Sequence, residues 1–169
     1  AVFEIGMNHA GEITPLTKLA RPHVAVITAI EPVHLEYFGT LEKIADAKAE
    51  IFAGVEAGGA VVLNRDNAQF AQLAAAARAA GIKRIVSFGE HGDADARLLR
   101  VSLQADLSTV EASILRQPVT YKVGMAGRHI ALNSLAVLAA ASLAGADLAL
   151  AALALGNLRP PSGRGTRST

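Results

Sequence analysis

Lys48 sits where a helix should carry an apolar side chain. At about 100° per residue, Leu41, Ile44, Ala45, Ile51 and Phe52 line one face of a predicted helix over Leu41–Ala53. Lys48 falls near the middle of that stripe, and Glu50 falls on the opposite, solvent-facing side. An ammonium in a dry site can shift its pKa by several units. Each unit is worth about 1.4 kcal/mol, against a whole-domain stability of only about 5–15 kcal/mol. Lys48 must therefore snorkel to the edge of the sheet, find an anion, or lose its proton. A neutral amine is a nucleophile that can take up carbon dioxide as a carbamate, and a carbamate is an anion able to bind a metal.

Other residues could join it. Glu4 is placed at the carboxyl end of a predicted strand, Ala1–Ile5, just before Gly6. Ligands of open α/β sheets bind at that edge, where a lone carboxylate suits Mg²⁺, which fills its shell with water and phosphate; the plainer reading is a surface glutamate. His34 follows the next buried strand and shares that edge if the two strands are parallel, which would make a small divalent-metal site. Asn8, His9 and Glu12 lie in the loop after Glu4, within reach of a substrate or of solvent. His129 and Asn133 are four apart and share a helix face, and an amide such as Asn133 can both donate to and accept from a purine base. Arg164 lies between Gly163 and Gly165, where a backbone can approach a ligand closely and a guanidinium suits phosphate; composition alone favours a flexible terminal tail.

The elements that must position these groups read as alternating strands and helices. The apolar run His23–Ile30 reads as a strand buried on both faces. Strands follow at Ala60–Asn64 and Arg84–Phe88. An alanine-rich helix over Asp66–Ala80 lies between them, with Asn64 or Asp66 as its N-cap and Gly81 past its end. The segment from Gly6 to Pro22 mixes loop with a short helix. This alternation argues for a parallel α/β sheet. The pattern then changes to β-like runs at Leu98–Leu103, Val110–Leu115 and Val119–Val123, joined closely enough for an antiparallel meander. A helix over Arg128–Ala144 and a shorter one capped by Asp147 complete the ordered part, and Arg159–Thr169 reads as linker or loop.

Composition narrows the partners. The 169 residues suit one domain, and 51% hydrophobic content supports a sizeable core. Sixteen basic against 15 acidic residues leave a net charge of +1, which gives no electrostatic case for nucleic acid or a membrane surface. The sequence has no cysteine, which excludes disulfides and thiolate metal sites. Its apolar runs are broken before the roughly 20 residues a bilayer requires, so no membrane insertion is expected. There is no G-x-x-x-x-G-K-[ST] phosphate loop, G-x-G-x-x-G fingerprint or H-E-x-x-H segment.

Four segments, in this order, resemble the Mur ligases, the ATP-dependent amide-forming enzymes of peptidoglycan synthesis. They are Glu4-Ile5-Gly6-Met7-Asn8-His9-Ala10-Gly11-Glu12-Ile13, His34-Leu35-Glu36-Tyr37-Phe38-Gly39, Ala47-Lys48-Ala49-Glu50-Ile51-Phe52, and Gly127-Arg128-His129 through Asn133. The first is similar to the branch that adds D-alanyl-D-alanine. The order of all four is specific, although none is so alone. Ile130 departs from the family's G-x-H-N-x-x-N segment, standing where its first asparagine is common.

The resemblance implies an α/β fold with a mostly parallel sheet flanked by helices, P-loop NTPase-like, with a small antiparallel β subregion. It implies that residues 1–159 are part of a central ATP-binding domain, that 160–169 lead toward a C-terminal domain, and that the phosphate loop lies upstream of Glu4. It implies ATP and Mg²⁺ as cofactors, with Glu4 and His34 on the metal, a carbamylated Lys48 helping to position it, His129 and Asn133 at adenine, and Arg164 at the γ-phosphate. The substrates implied are UDP-N-acetylmuramoyl-tripeptide and D-alanyl-D-alanine, in a cytoplasmic, monomeric enzyme. This chain alone is expected to lack ligase activity. The alternatives are another branch, adding diaminopimelate or lysine, and a non-catalytic interaction domain descended from a ligase.

Overall fold

A computed structural model describes residues 1–32 and 35–159. Its elements run α1 (Ile13–Ala20), β1 (Val24–Ile27), α2 (Leu35–Phe38), α3 (Leu41–Ala49), β2 (Ala60–Asn64), α4 (Phe70–Ala79), β3 (Arg84–Gly89), β4 (Ala96–Leu103), β5 (Ser108–Ile114), β6 (Gln117–Val123), α5 (Arg128–Leu143) and α6 (Leu148–Leu155). The six strands form one sheet in sequence order. β1, β2, β3 and β4 are parallel neighbours, whereas β4–β5 and β5–β6 are antiparallel. The fold is therefore α/β, as the alternation of elements requires. The meander is not set apart from it: the pairs Phe88↔Ala96 and Gly89↔Arg97 join it to the parallel strands as one mixed sheet.

Helices cover the parallel strands on both faces, which explains why Ala60–Leu63 is buried without alternation. Val61 and Leu63 pack with Ile44, Phe52 and Leu73, from α3 and α4 and the turn between α3 and β2. Val62 faces the other way, into a cluster with Phe88, Val110, Leu135 and Leu138. Ala131, Ala136 and Ala139 let α5 approach that second face closely, and all three are buried. Thr40 caps α3 by accepting from the backbone N–H of Lys43 at 3.3 Å. Asp147 caps α6 as expected, its Oδ1 accepting from the backbone N–H of Leu150 at 2.9 Å.

Several boundaries differ from the sequence reading. Ala1–Ile5 forms no strand. A strand persists by ladder hydrogen bonds, and this segment has no neighbour among the described residues, which leaves Val2 and Phe3 exposed. The helix predicted to Ala53 ends at Ala49 and tightens into a 3-10 turn over Glu50–Gly54. α1 packs against this turn: Thr17 Oγ1 donates to Ile51 O at 2.8 Å. A Cβ on Gly54 would stand 2.2 Å from the Thr17 carbonyl oxygen, so only glycine permits the contact. α4 starts at Phe70, later than Asp66, because Asn64 and Asp66 spend their side chains on the sheet edge and cap nothing.

Candidate functional site

The topology fixes one rim. β1, β2 and β3 are parallel; two reversals through β4 and β5 return β6 to the same direction. The carboxyl ends of β1, β2 and β3 lie along one edge; β4 pairs only with the last two residues of β3, so β4 and β6 run on past that edge, and α5, which follows β6, is tied back to it by its first residue, Arg128. Side chains stitch this edge together. Asn64 Nδ2 donates to Thr28 O at 2.9 Å, joining the ends of β2 and β1, while its Oδ1 accepts from the backbone N–H of Asp66 at 2.9 Å. The Asp66 carboxylate accepts from the backbone N–H groups of Glu90 at 2.8 Å and His91 at 3.0 Å, beyond the end of β3. Gly89 makes this possible, since a Cβ there, at φ 148°, would fall 2.5 Å from Asp66 Oδ2. Glu90 in turn pairs with Arg128 in the first turn of α5.

Lys48 reaches this rim. Its side chain is half-buried, and its Nζ donates to the carbonyl oxygen of Ala29, just past β1, at 2.7 Å. Desolvation pulls its pKa below the usual lysine value, with the Glu31 carboxylate acting against that shift. Of the three outcomes open to it, Lys48 shows the first, reaching the sheet edge, where its direct hydrogen-bond partner is a neutral carbonyl. A carbonyl does not offset a full charge, so the free amine is more accessible here than on a surface lysine.

His129 and Asn133 are both exposed on the first two turns of α5, and neither has a side-chain partner among the described residues. They share the helix face that the spacing predicts and remain available to a ligand at the rim. Glu4 is exposed, in irregular chain, with no described partner. His34 and Arg164 lie outside the described residues. Among the described residues no group of three or more His, Asp or Glu side chains gathers into a metal site. The donors fit Mg²⁺ in kind, because Glu4 offers an unengaged carboxylate oxygen and that ion needs few of them.

The loop after Glu4 is more ordered than its composition suggests. The Glu12 carboxylate accepts from the backbone N–H of Asn8 at 2.7 Å and meets His9 Nδ1 at 3.1 Å. The Asn8 and His9 backbone hydrogen bonds, followed by the His9 side chain, hold its carboxyl below the usual glutamate range. The His9 ring stands edge-on to Tyr37 of α2, with centroids 5.1 Å apart. Between this loop, α2 and α3 opens a cleft of about 330 Å³, with His9, Tyr37, Phe38, Lys43, Asp46 and Glu50 in its walls.

Glu50 departs from the sequence reading, which places it on a solvent-facing side. It is partly buried and accepts from the backbone N–H of Gly11 at 2.5 Å, and from the N–H and Oγ1 of Thr14 at 3.1 Å each. The helical period misleads because the helix ends at the residue before and α1 packs over the following turn. A carboxylate two residues from Lys48 was the available signal, but its partners lie 36 and 39 residues away in the chain.

The Mur ligase middle domain model matches residues 1–141. The D-alanyl-D-alanine-adding UDP-N-acetylmuramoyl-tripeptide ligase of Rickettsia prowazekii is 33% identical over 138 residues, which is 82% of this chain and 31% of that protein. The crystal structure of MurF from Acinetobacter baumannii is similar at TM-score 0.89 and 29% identity, covering 97% of this chain and 35% of that one. MurF from Thermotoga maritima, solved in complex with ADP, is similar at TM-score 0.76 and 26% identity, over 93% of this chain and 35% of that one. The chain thus spans about a third of the length of these relatives.

Proposed function

Because this chain belongs to the Mur ligase family through its middle domain, we propose that it is the nucleotide-facing part of a ligase that joins D-alanyl-D-alanine to UDP-N-acetylmuramoyl-tripeptide. The observation that carries this reading is the series of contacts along one sheet edge, from the Lys48 amine at Ala29 O through Asn64, Asp66 and Glu90 to Arg128 at the start of α5, the helix that holds His129 and Asn133. The name of the Rickettsia relative supports the choice of substrates, and the ADP in the Thermotoga structure supports ATP as cosubstrate.

In the reaction proposed, the tripeptide carboxylate attacks the γ-phosphate of ATP and ADP leaves. The amine of D-alanyl-D-alanine then attacks the acyl phosphate, and phosphate leaves as the amide forms. The Asn133 amide donates to and accepts from the edge of adenine, with the His129 ring beside it. Lys48 takes up carbon dioxide on its neutral amine, releasing a proton, and the carbamate replaces a cation with an anion at the rim. Asn8 and His9 contact the acceptor peptide. Glu4 and His34 are the residues that would hold Mg²⁺, which when bound supplies positive charge to the phosphoryl oxygens. Arg164 would approach the γ-phosphate. The domain division at about residue 160, a monomeric state and a cytoplasmic location belong to the same proposal. No helix among the described residues is long and apolar enough to cross a membrane.

The test is turnover by the intact protein. ADP release should require both the tripeptide precursor and D-alanyl-D-alanine. Release that proceeds with a single amino acid as second substrate, and not with the dipeptide, would assign the protein to another branch.

A further inference from the structure

Glu50 is the root of a hydrogen-bonded chain that the reaction outlined above does not use. It leaves the α3 segment two residues after Lys48 and crosses to the start of α1, where it takes the Gly11 and Thr14 N–H groups and the Thr14 hydroxyl. α1 has no cap of its own, since the residue before it, Glu12, makes no side-chain bond to its helix. Glu50 therefore supplies from another segment both the orphan-donor partner and the negative charge that a helix start favours. Glu12, freed from capping, turns back to hold Asn8 N and the His9 ring. That ring meets Tyr37 across the cleft wall.

The geometry points to Glu50 as a positioning residue that fixes the Asn8–His9 wall of this cleft in register with Lys48, and so sets the seat of the acceptor peptide. This inference rests on the ligase reading for the identity of its ligand, and on the Glu50 hydrogen bonds alone for the clamp. Charge-assisted bonds to a carboxylate are the strong ones, and deleting the side chain leaves all its donors without a partner. Glu50→Gln keeps one acceptor oxygen but turns an NH₂ toward the remaining donors. Thr14→Val removes only the hydroxyl.

The experiment uses the intact protein and two readouts. Amide hydrogen exchange at Gly11 and Thr14 should accelerate roughly tenfold or more in Glu50→Ala, less in Glu50→Gln, and least in Thr14→Val. The KM for the acceptor tripeptide should rise in the same order, about tenfold in Glu50→Ala, while the KM for ATP stays within about twofold. A purely structural carboxylate would speed exchange across the molecule and move both KM values together. If exchange at Gly11 and Thr14 is unchanged in Glu50→Gln, the clamp is refuted whatever the enzyme does. If exchange accelerates locally and the acceptor KM stays fixed in an active enzyme, the positioning role is refuted and only the clamp stands. A wild-type protein that does not turn over the tripeptide at all refutes the ligase reading separately. Glu50→Gln and Thr14→Val keep the test open should Glu50→Ala fail to fold.

Discussion

The two halves of the sheet bury apolar side chains by different rules. In the parallel half, β2 is closed off on both faces, with α3 and α4 on one and α5 on the other, and four consecutive residues are buried. In the antiparallel half, β5 alternates buried and partly buried positions without a break, Ser108 to Ile114, because helices pack on one face only. Chemistry follows the same division. Every described candidate that reaches the rim comes from the loops at the carboxyl ends of strands, from the last turn of α3 or from the start of α5. The strands of the meander contribute none. A parallel strand end exposes carbonyls and loop amides that no ladder partner takes up, and Ala29 O is such a group for Lys48. Tight hairpins consume theirs.

This contrast predicts that the halves separate function from stability. The largest effect expected is from Lys48→Ala in the intact protein, a fall in kcat of about 100- to 1,000-fold, the size of losing one electrostatic stabilising group, with unfolding free energy nearly unchanged. A fall of less than about tenfold would place the reacting centre away from this rim. Ile114→Ala, at the end of the meander's central strand and 1% exposed, should do the reverse. It removes about 2–5 kcal/mol of stability, read by denaturant unfolding, and leaves the KM values for ATP and tripeptide as they were. A change in either KM would break the division between the halves.

The smallest effect is a pH dependence at Lys48. Its native pKa is lowered by desolvation, so the protonated form opposes folding and the unfolded chain binds that proton more tightly. Stability from this group therefore rises with pH between the lowered native value and the ordinary lysine value. In carbon dioxide-free buffer the wild type should gain stability relative to Lys48→Met across that window. A flat difference would mean that the amine is solvated as on a surface.

Much of the fold was legible. β2 is found where the apolar run Ala60–Asn64 places it, α5 begins at Arg128, and Asp147 caps α6. These depend on hydrophobic period and local capping, which act within a few residues. The errors fall where a distant segment decides. Ala1–Ile5 has the composition of a strand, but a ladder requires a neighbour. Asn64 and Asp66 are good cap residues, yet better partners wait at Thr28 O and the Glu90 and His91 N–H groups. The two-residue turn at Leu115 and Arg116 carries positive φ at both positions without the glycine or asparagine that normally announces it; the register of β5 on β6 imposes it.

The site divides in the same way. Composition and spacing alone marked Lys48 as a lysine out of place and put His129 and Asn133 on one helix face, because both follow from the rotation per residue. That Lys48 ends on Ala29 O, that α5 opens onto the same rim, and that Glu50 faces α1 and not solvent were decided by tertiary structure. The reason is physical: a polar side chain takes the partner that folding leaves unsatisfied, and such partners become known only once distant strands and helices have been brought together.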